Sequence, residues 1–269
     1  MPSFTHGRLT MAVQLFGHGP LPVLAFHGFG RLGNDLLPLA PALGTQCTLH
    51  AFDLPFHGAS PAPQDSAPIT PEELAAYFTA YSGSIGGAPP ALLGYSLGGR
   101  FALSLVERCP ELWSTVLLAA PDGLVRAPWY RGLANHRWGR WAYRCFIRRP
   151  GGIHALIDLL HRTGIIGAPL HRFLIGQSDT REARELLHDV WTTFRMIEPD
   201  LVRVAANLRS MHLPLHLYLG KHDQVIKPAQ ARRLSRLATQ QVHVHTLQTG
   251  HWMLTTELGK AIARALPAP

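Results

Sequence analysis

Short apolar runs that alternate with helix-patterned segments constrain this chain more than any other feature. Residues 9–17 alternate apolar and polar side chains as a half-buried strand does, and His18-Gly19-Pro20 ends the run. Residues 22–27, 47–52, 91–95 and 115–119 are runs of five or six mostly apolar residues, the length and character of strands buried on both faces. Between them the spacing predicts helices over 34–43, with Asn34 as its cap, over 71–85, with Thr70 as N-cap and Pro71 in the first turn, and over 97–108. Strands and helices in this rhythm predict an α/β domain with a doubly wound, mainly parallel sheet.

The rhythm breaks at about residue 122. From there to 212 the pattern is helical and irregular, with one clear helix expected over 180–197. It resumes with a strand at 213–219, a helix at 228–238, a strand at 242–247 and a last helix from His251 or Trp252 onward. A βα series interrupted once and then completed predicts a core of residues 1–121 and 213–269 carrying a helical cap over 122–212.

Charge is concentrated in the interruption. The formal charge is +8, and residues 122–212 hold fourteen Arg against eight Asp and Glu, which is +6 of that total. A basic chain invites a nucleic-acid reading, but no helix-turn-helix pattern, glycine–aromatic RNA-binding motif or basic tail accompanies it, so no nucleic-acid partner is expected. Coding bias toward Arg explains the composition equally well, since only three of 25 basic residues are Lys. Apolar residues make up 46% of the chain, but no stretch reaches the roughly 18–20 needed for a membrane span. Residues 1–19 lack the basic start and apolar run of a signal peptide. Cys47, Cys109 and Cys145 are isolated and odd in number, which argues against a disulfide framework or structural zinc and for a reducing cytoplasm. Neither metal nor cofactor is expected, and the sequence is silent on oligomeric state.

The strongest chemical signal is Gly94-Tyr95-Ser96-Leu97-Gly98, a G-x-S-x-G between a predicted strand and a predicted helix. There a sharp turn projects the serine hydroxyl above the sheet. The plainer reading of Ser96 is a helix N-cap, and the two roles are compatible. A serine needs a base to take its proton. His251, in Thr249-Gly250-His251-Trp252 after the last strand, stands out among sixteen histidines by position. An acid must then hold the imidazole, and Asp223, where a strand runs into a loop, follows Ser96 and precedes His251 in the expected order. Asp122 competes for that role. Two backbone amides, of Leu97 after the nucleophile and of Phe29 in His27-Gly28-Phe29-Gly30, are the candidate oxyanion donors.

Together with Asp53-Leu54-Pro55-Phe56-His57-Gly58-Ala59-Ser60, Gly99, Gly220 to Asp223 and Gly250-His251, these segments resemble the α/β-hydrolase superfamily over residues 1–121 and about 213–269. The resemblance implies an α/β-hydrolase fold of about eight strands, no cofactor, and the triad and oxyanion roles just given. It implies a structural, not catalytic, role for Asp53 and His57. Tyr-Ser-Leu-Gly-Gly-Arg100 is similar to the elbow of carboxylesterases, of the pimeloyl-ester esterases of biotin synthesis, and of the menaquinone-pathway lyase that makes succinyl-hydroxycyclohexadiene carboxylate. The implied function is hydrolysis of a small ester or related acyl substrate. The alternatives are triad-dependent elimination on a carboxylated ring and a ligand-binding relative without catalysis.

The cluster His136-Arg137-Trp138-Gly139-Arg140-Trp141, followed by Arg144, Arg148 and Arg149, suits a cap that grips an acidic acyl group with guanidinium forks. Tyr95, Trp138, Arg195 and Trp252 are the substrate-contact candidates. The plainer reading has Trp rings packed on the core and Arg heads in water.

Overall fold

In the computed structural model, which describes residues 2–125 and 136–266, eight strands form one sheet in the order β1-β2-β4-β3-β5-β6-β7-β8. They are β1 (Ser3–His6), β2 (Leu9–Phe16), β3 (Leu21–Phe26), β4 (Cys47–Phe52), β5 (Ala91–Tyr95), β6 (Val116–Ala119), β7 (Leu215–Gly220) and β8 (Val242–Leu247). The pairs β1–β2 and β2–β4 are antiparallel, and all others are parallel. Strand β1 escaped the sequence analysis. It is four residues long and half of a hairpin, turned at Gly7 with φ +57°, so it carries little apolar periodicity.

The chain runs from β3 outward to β4, then returns to place β5 on the other side of β3. That reversal is a topological switch point, where loops leaving the two carboxyl ends diverge and open a crevice.

Alternating side chains build two apolar layers. Val23, Ala25, Leu49, Ala51, Leu93 and Leu117 join Leu39 and Leu43 of the segment ending in α1 (Ala40–Leu43) and Leu258 and Ile262 of the last helix. On the opposite face Phe26 meets Phe52, Phe78 and Phe101 at ring-centroid distances of 6.0, 4.9 and 6.3 Å. Those last two rings come from α2 (Pro71–Ile85) and α3 (Leu97–Arg108). Each such ring, fully buried, contributes about 2–3 kcal/mol of hydrophobic stabilisation. The α2 start follows its sequence: Thr70 Oγ1 accepts from the Glu73 amide at 3.1 Å and Glu73 Oε2 from the Thr70 amide at 2.9 Å, a reciprocal cap.

Two other predicted starts move. Residues 33–39 form a tight 3-10 turn before α1, and Asp35, not Asn34, supplies the carboxylate that accepts from the Leu32 amide at 3.0 Å. The last helix begins at Thr256, because Thr255 caps it and His251 stays in a loop.

The chain falls into two compact units, one within residues 1–66, 70–125 and 197–269, the other within 67–69 and 126–196. Residues 126–135, part of the expected cap, lie outside the described residues. The sheet unit reclaims the chain at 197, ahead of the strand pattern at 213, because helix α8 (Leu201–Ser210) packs on α3. Asn207 Nδ2 donates to the Val106 and Glu107 carbonyls, both at 3.0 Å, and Glu107 accepts from the Asp200 amide at 2.9 Å. Helix α9 (Arg232–Leu237) and α10 (Thr256–Ala263) complete this unit.

The second unit holds α4 (Arg137–Arg148), α5 (Gly151–Arg162), α6 (Ala168–Gly176) and α7 (Arg181–Thr193). Its organising side chain is Arg184. Buried in α7, Arg184 donates to the carbonyls of Ile147, Ser178 and Asp179 at 3.1, 2.8 and 3.0 Å, tying α4 to the loop before α7. Among the described residues no helix is long and apolar enough to cross a membrane.

Helix α3 approaches β3 closely only because residue 98 is glycine. A Cβ there would stand 2.2 Å from the Phe26 carbonyl oxygen. Gly83, on the exposed side of α2, has nothing within 4 Å of such an atom. Gly98→Ala is expected to cost about 1–3 kcal/mol and Gly83→Ala to add about 0.5–1 kcal/mol, both read from urea midpoints. Equal midpoints for the two variants would contradict this packing.

Candidate active site

Four loops leave the carboxyl ends of β3, β5, β7 and β8 on one edge of the sheet, since these strands run parallel. The β5 loop is a single residue, Ser96, held at φ +51° and ψ −116° between Tyr95 and α3. That left-handed backbone is strained for a residue with a side chain. It persists because both sides hold it: the Ser96 amide donates to Ala119 at 3.0 Å, and its carbonyl accepts from Gly99 and Asp122, both at 2.8 Å. Its hydroxyl makes no cap bond to α3. Instead it lies 3.1 Å from His251 Nε2.

His251 Nδ1 donates to Asp223 Oδ2 at 2.8 Å. The other Asp223 oxygen accepts from the amides of Val225 at 2.7 Å and Ile226 at 2.9 Å, so this buried carboxylate is fixed from both sides. An acceptor at Nδ1 places the imidazole proton there and leaves Nε2 free to accept from Ser96. Asp122, the competing acid, is elsewhere engaged: it pairs with Arg100 of α3 and accepts from the Gly123 amide at 2.7 Å.

The β3 loop closes beside Ser96. A Cβ on Gly28 would sit 3.1 Å from Ser96 Cβ and 3.1 Å from Tyr95 Cε1, so a side chain there would push these neighbours by a few tenths of an ångström. Leu97 is the first residue of α3, where amides lack an intrahelical acceptor. Among the described residues the Phe29 amide also meets no acceptor.

Two histidines that the sequence offered no chemistry for hold this loop. His27 Nδ1 donates to the Gly28 carbonyl at 2.7 Å, and its Nε2 accepts from the Leu54 amide at 2.9 Å. His57 Nδ1 donates to the Pro55 carbonyl and its Nε2 accepts from the Gly30 amide, each at 3.0 Å. Both must be neutral to accept. Burial, then the repulsion a protonated His57 would exert, pushes His27 down to about 3. Burial lowers His57 as well. Asp53 accepts from Gly33 at 2.7 Å and Ala59 at 2.9 Å, tying the same region to β4.

Of the four substrate-contact candidates, Tyr95 and Trp252 belong to the sheet unit and lie at this edge. Tyr95 is buried with its ring 5.6 Å from that of His251, and Trp252 is 43% exposed. The Arg31 guanidinium lies 4.2 Å over the Trp252 ring, a cation–π pair that no local sequence pattern announces. Trp138 and Arg195 belong to the helical unit. Trp138 stacks on His136 and is 62% exposed, while Arg195 donates to the Thr192 carbonyl.

The chain matches the α/β-hydrolase family over residues 23–265 and belongs to it. It is 37% identical to a protein of Stenotrophomonas maltophilia named pimeloyl-[acyl-carrier protein] methyl ester esterase, over 85% of this chain and 84% of that one. The match to a Xanthomonas oryzae enzyme of the same name, also 37% identical, spans 43% of this chain and 43% of that enzyme. Two solved structures share the fold: a thermophilic esterase of Thermogutta terrifontis (TM-score 0.66, 20% identity, 96% of this chain, 91% of that one) and an enol-lactonase of Burkholderia xenovorans (TM-score 0.64, 19%, 98% and 97%).

The buried histidines set an acid limit on stability. His27 titrates near 3 when folded and at its ordinary value of about 6.5 when unfolded. Between those values only the unfolded chain takes the proton, so the stability is whole above about 6.5 and drains as pH falls. At pH 5 the loss from His27 alone is about 2 kcal/mol. His27→Gln cannot titrate, so its unfolding free energy should fall less between pH 7 and 5, by about that amount. An unchanged slope would overturn this assignment.

Proposed function

We propose that the chain is a serine esterase acting through an acyl-enzyme, with Ser96 as nucleophile, His251 as base and Asp223 as the acid behind it. The observation that carries this reading is the pair of contacts at His251: 3.1 Å to the Ser96 hydroxyl and 2.8 Å to the Asp223 carboxylate. As Ser96 Oγ attacks an ester carbonyl, its proton passes to Nε2, and Asp223 stabilises the imidazolium that forms. The negative oxygen is received by the Phe29 and Leu97 amides, each worth about 3 kcal/mol of barrier. The imidazolium then protonates the departing alcohol. Water enters, gives its proton to His251, and attacks the acyl-serine to release the carboxylic acid.

The relatives' names suggest the substrate class: a methyl ester on an acyl chain borne by an acyl-carrier protein. The Arg-rich helical unit supports an acidic substrate, since α4 contains Arg137, Arg144 and Arg148 and no Asp or Glu. The three free thiols suit a reducing cytoplasm.

A fluorophosphonate probe should label the wild type and leave Ser96→Ala unlabelled. Ester turnover in Ser96→Ala should fall by at least about 10³-fold. Turnover that needs His251 yet survives Ser96→Ala would overturn the acyl-enzyme and favour elimination chemistry. For substrate class, matched methyl esters with and without an acidic carrier or distal carboxylate should differ in kcat/KM by about tenfold or more, the scale of one charge-assisted contact. Equal values across the pairs would remove the acidic preference.

A further inference from the structure

Resting on the serine-esterase reading, one side chain beside the triad has a role that its burial and its hydrogen bond define. Tyr95 is the last residue of β5 and the immediate neighbour of Ser96. Its hydroxyl donates to the backbone carbonyl of His251 at 3.1 Å, across 156 positions of sequence. The ring is only 3% exposed. It packs edge-on to Trp252 with centroids 6.1 Å apart, and its Cε1 lies 3.1 Å from where a Gly28 Cβ would stand. One side chain therefore touches the base loop and the loop of the candidate oxyanion donor, and its own backbone carries the nucleophile.

Beside the contact of the His251 ring with the Ser96 hydroxyl, two further bonds on the base loop lie on the β7–β8 side. The His222 amide donates to the Thr249 carbonyl at 3.0 Å, and Thr249 Oγ1 donates to the Trp252 carbonyl at 3.1 Å. The first joins the β7 and β8 loops and the second lies within the base loop; neither reaches β5. We propose that Tyr95 is a positioning residue, whose hydroxyl-to-carbonyl bond fixes the separation between His251 and Ser96. Burial raises the phenol's pKa, so the hydroxyl keeps its proton and remains a donor across the neutral range.

Proton transfer depends steeply on that separation, and a displacement of about 1 Å can cost about 100-fold in rate. Tyr95→Phe deletes the bond and keeps the ring. With a small p-nitrophenyl ester, kcat is expected to fall about 10- to 100-fold while KM stays within about twofold, because the lost function is alignment and not binding. The rate of fluorophosphonate labelling should fall by a similar factor. Titrating active sites with the same probe to completion counts only folded enzyme, so partial misfolding does not mask the result.

The control is Tyr218→Phe. Tyr218 is likewise buried, and its hydroxyl donates to the Ala261 carbonyl at 3.3 Å within the core. It should lower the melting temperature and leave kcat within about twofold. A Tyr95→Phe enzyme with wild-type kcat, or a Tyr218→Phe enzyme that loses as much, would overturn the role. A wild type that neither labels nor turns over would remove the esterase reading and this role with it. A wild type that does both, beside an unaltered Tyr95→Phe, would remove only the role.

Discussion

Parallel strands end on the same edge of a sheet, and everything chemical in this molecule depends on that. Ser96, Asp223 and His251 follow β5, β7 and β8, and Phe29 follows β3. No local sequence brings these residues together. Hydrogen bonding between β5, β6, β7 and β8 does so, by setting their carboxyl ends in register. The reversal of strand order at β3 and β5 then gives the Gly28 loop and the Ser96 turn adjacent places on that edge.

Adjacency alone leaves each group free to turn away, and the site limits that freedom with bonds that also have a cost. Ser96 is held in a left-handed conformation by three backbone bonds. Asp223 is buried with both oxygens engaged. His27 and His57 are kept neutral by burial so that each can accept a backbone amide of the region around the Gly28 loop. These are local expenses of stability, offset by the apolar layers on both faces of the sheet. The strongly packed phenylalanine layer lies directly beneath β3 and β4, the strands that carry the Gly28 and Asp53 segments.

Much of this was legible beforehand. The strands from β2 to β8 have apolar runs long enough to read, and Gly94-Tyr95-Ser96-Leu97-Gly98 is recognisable because a strand-to-helix turn imposes its glycines locally. Thr70 announced its cap for the same reason. Two readings shifted for different reasons, one between neighbouring residues and one between partners far along the chain. Asn34 looked like a cap, but the acceptor is Asp35. The 213 boundary followed the strand pattern, whereas α8 is held to α3 through Asn207 and Glu107, about a hundred residues apart in sequence. Arg31 and Tyr95 carried no motif at all for stacking on Trp252 or bracing His251.

The sequence by itself determined the class of fold and marked Ser96, Asp223 and His251 as candidates in that chain order, since these are written in periodicity, in small residues at forced turns and in motif spacing. Only the tertiary structure decided between Asp223 and Asp122 as the carboxylate at His251, and only it revealed the bond from Tyr95 to His251. The reason is physical: a hydrogen bond exists within about 3 Å and at a workable angle. Residues more than a hundred positions apart acquire such a distance when the sheet assembles, not before.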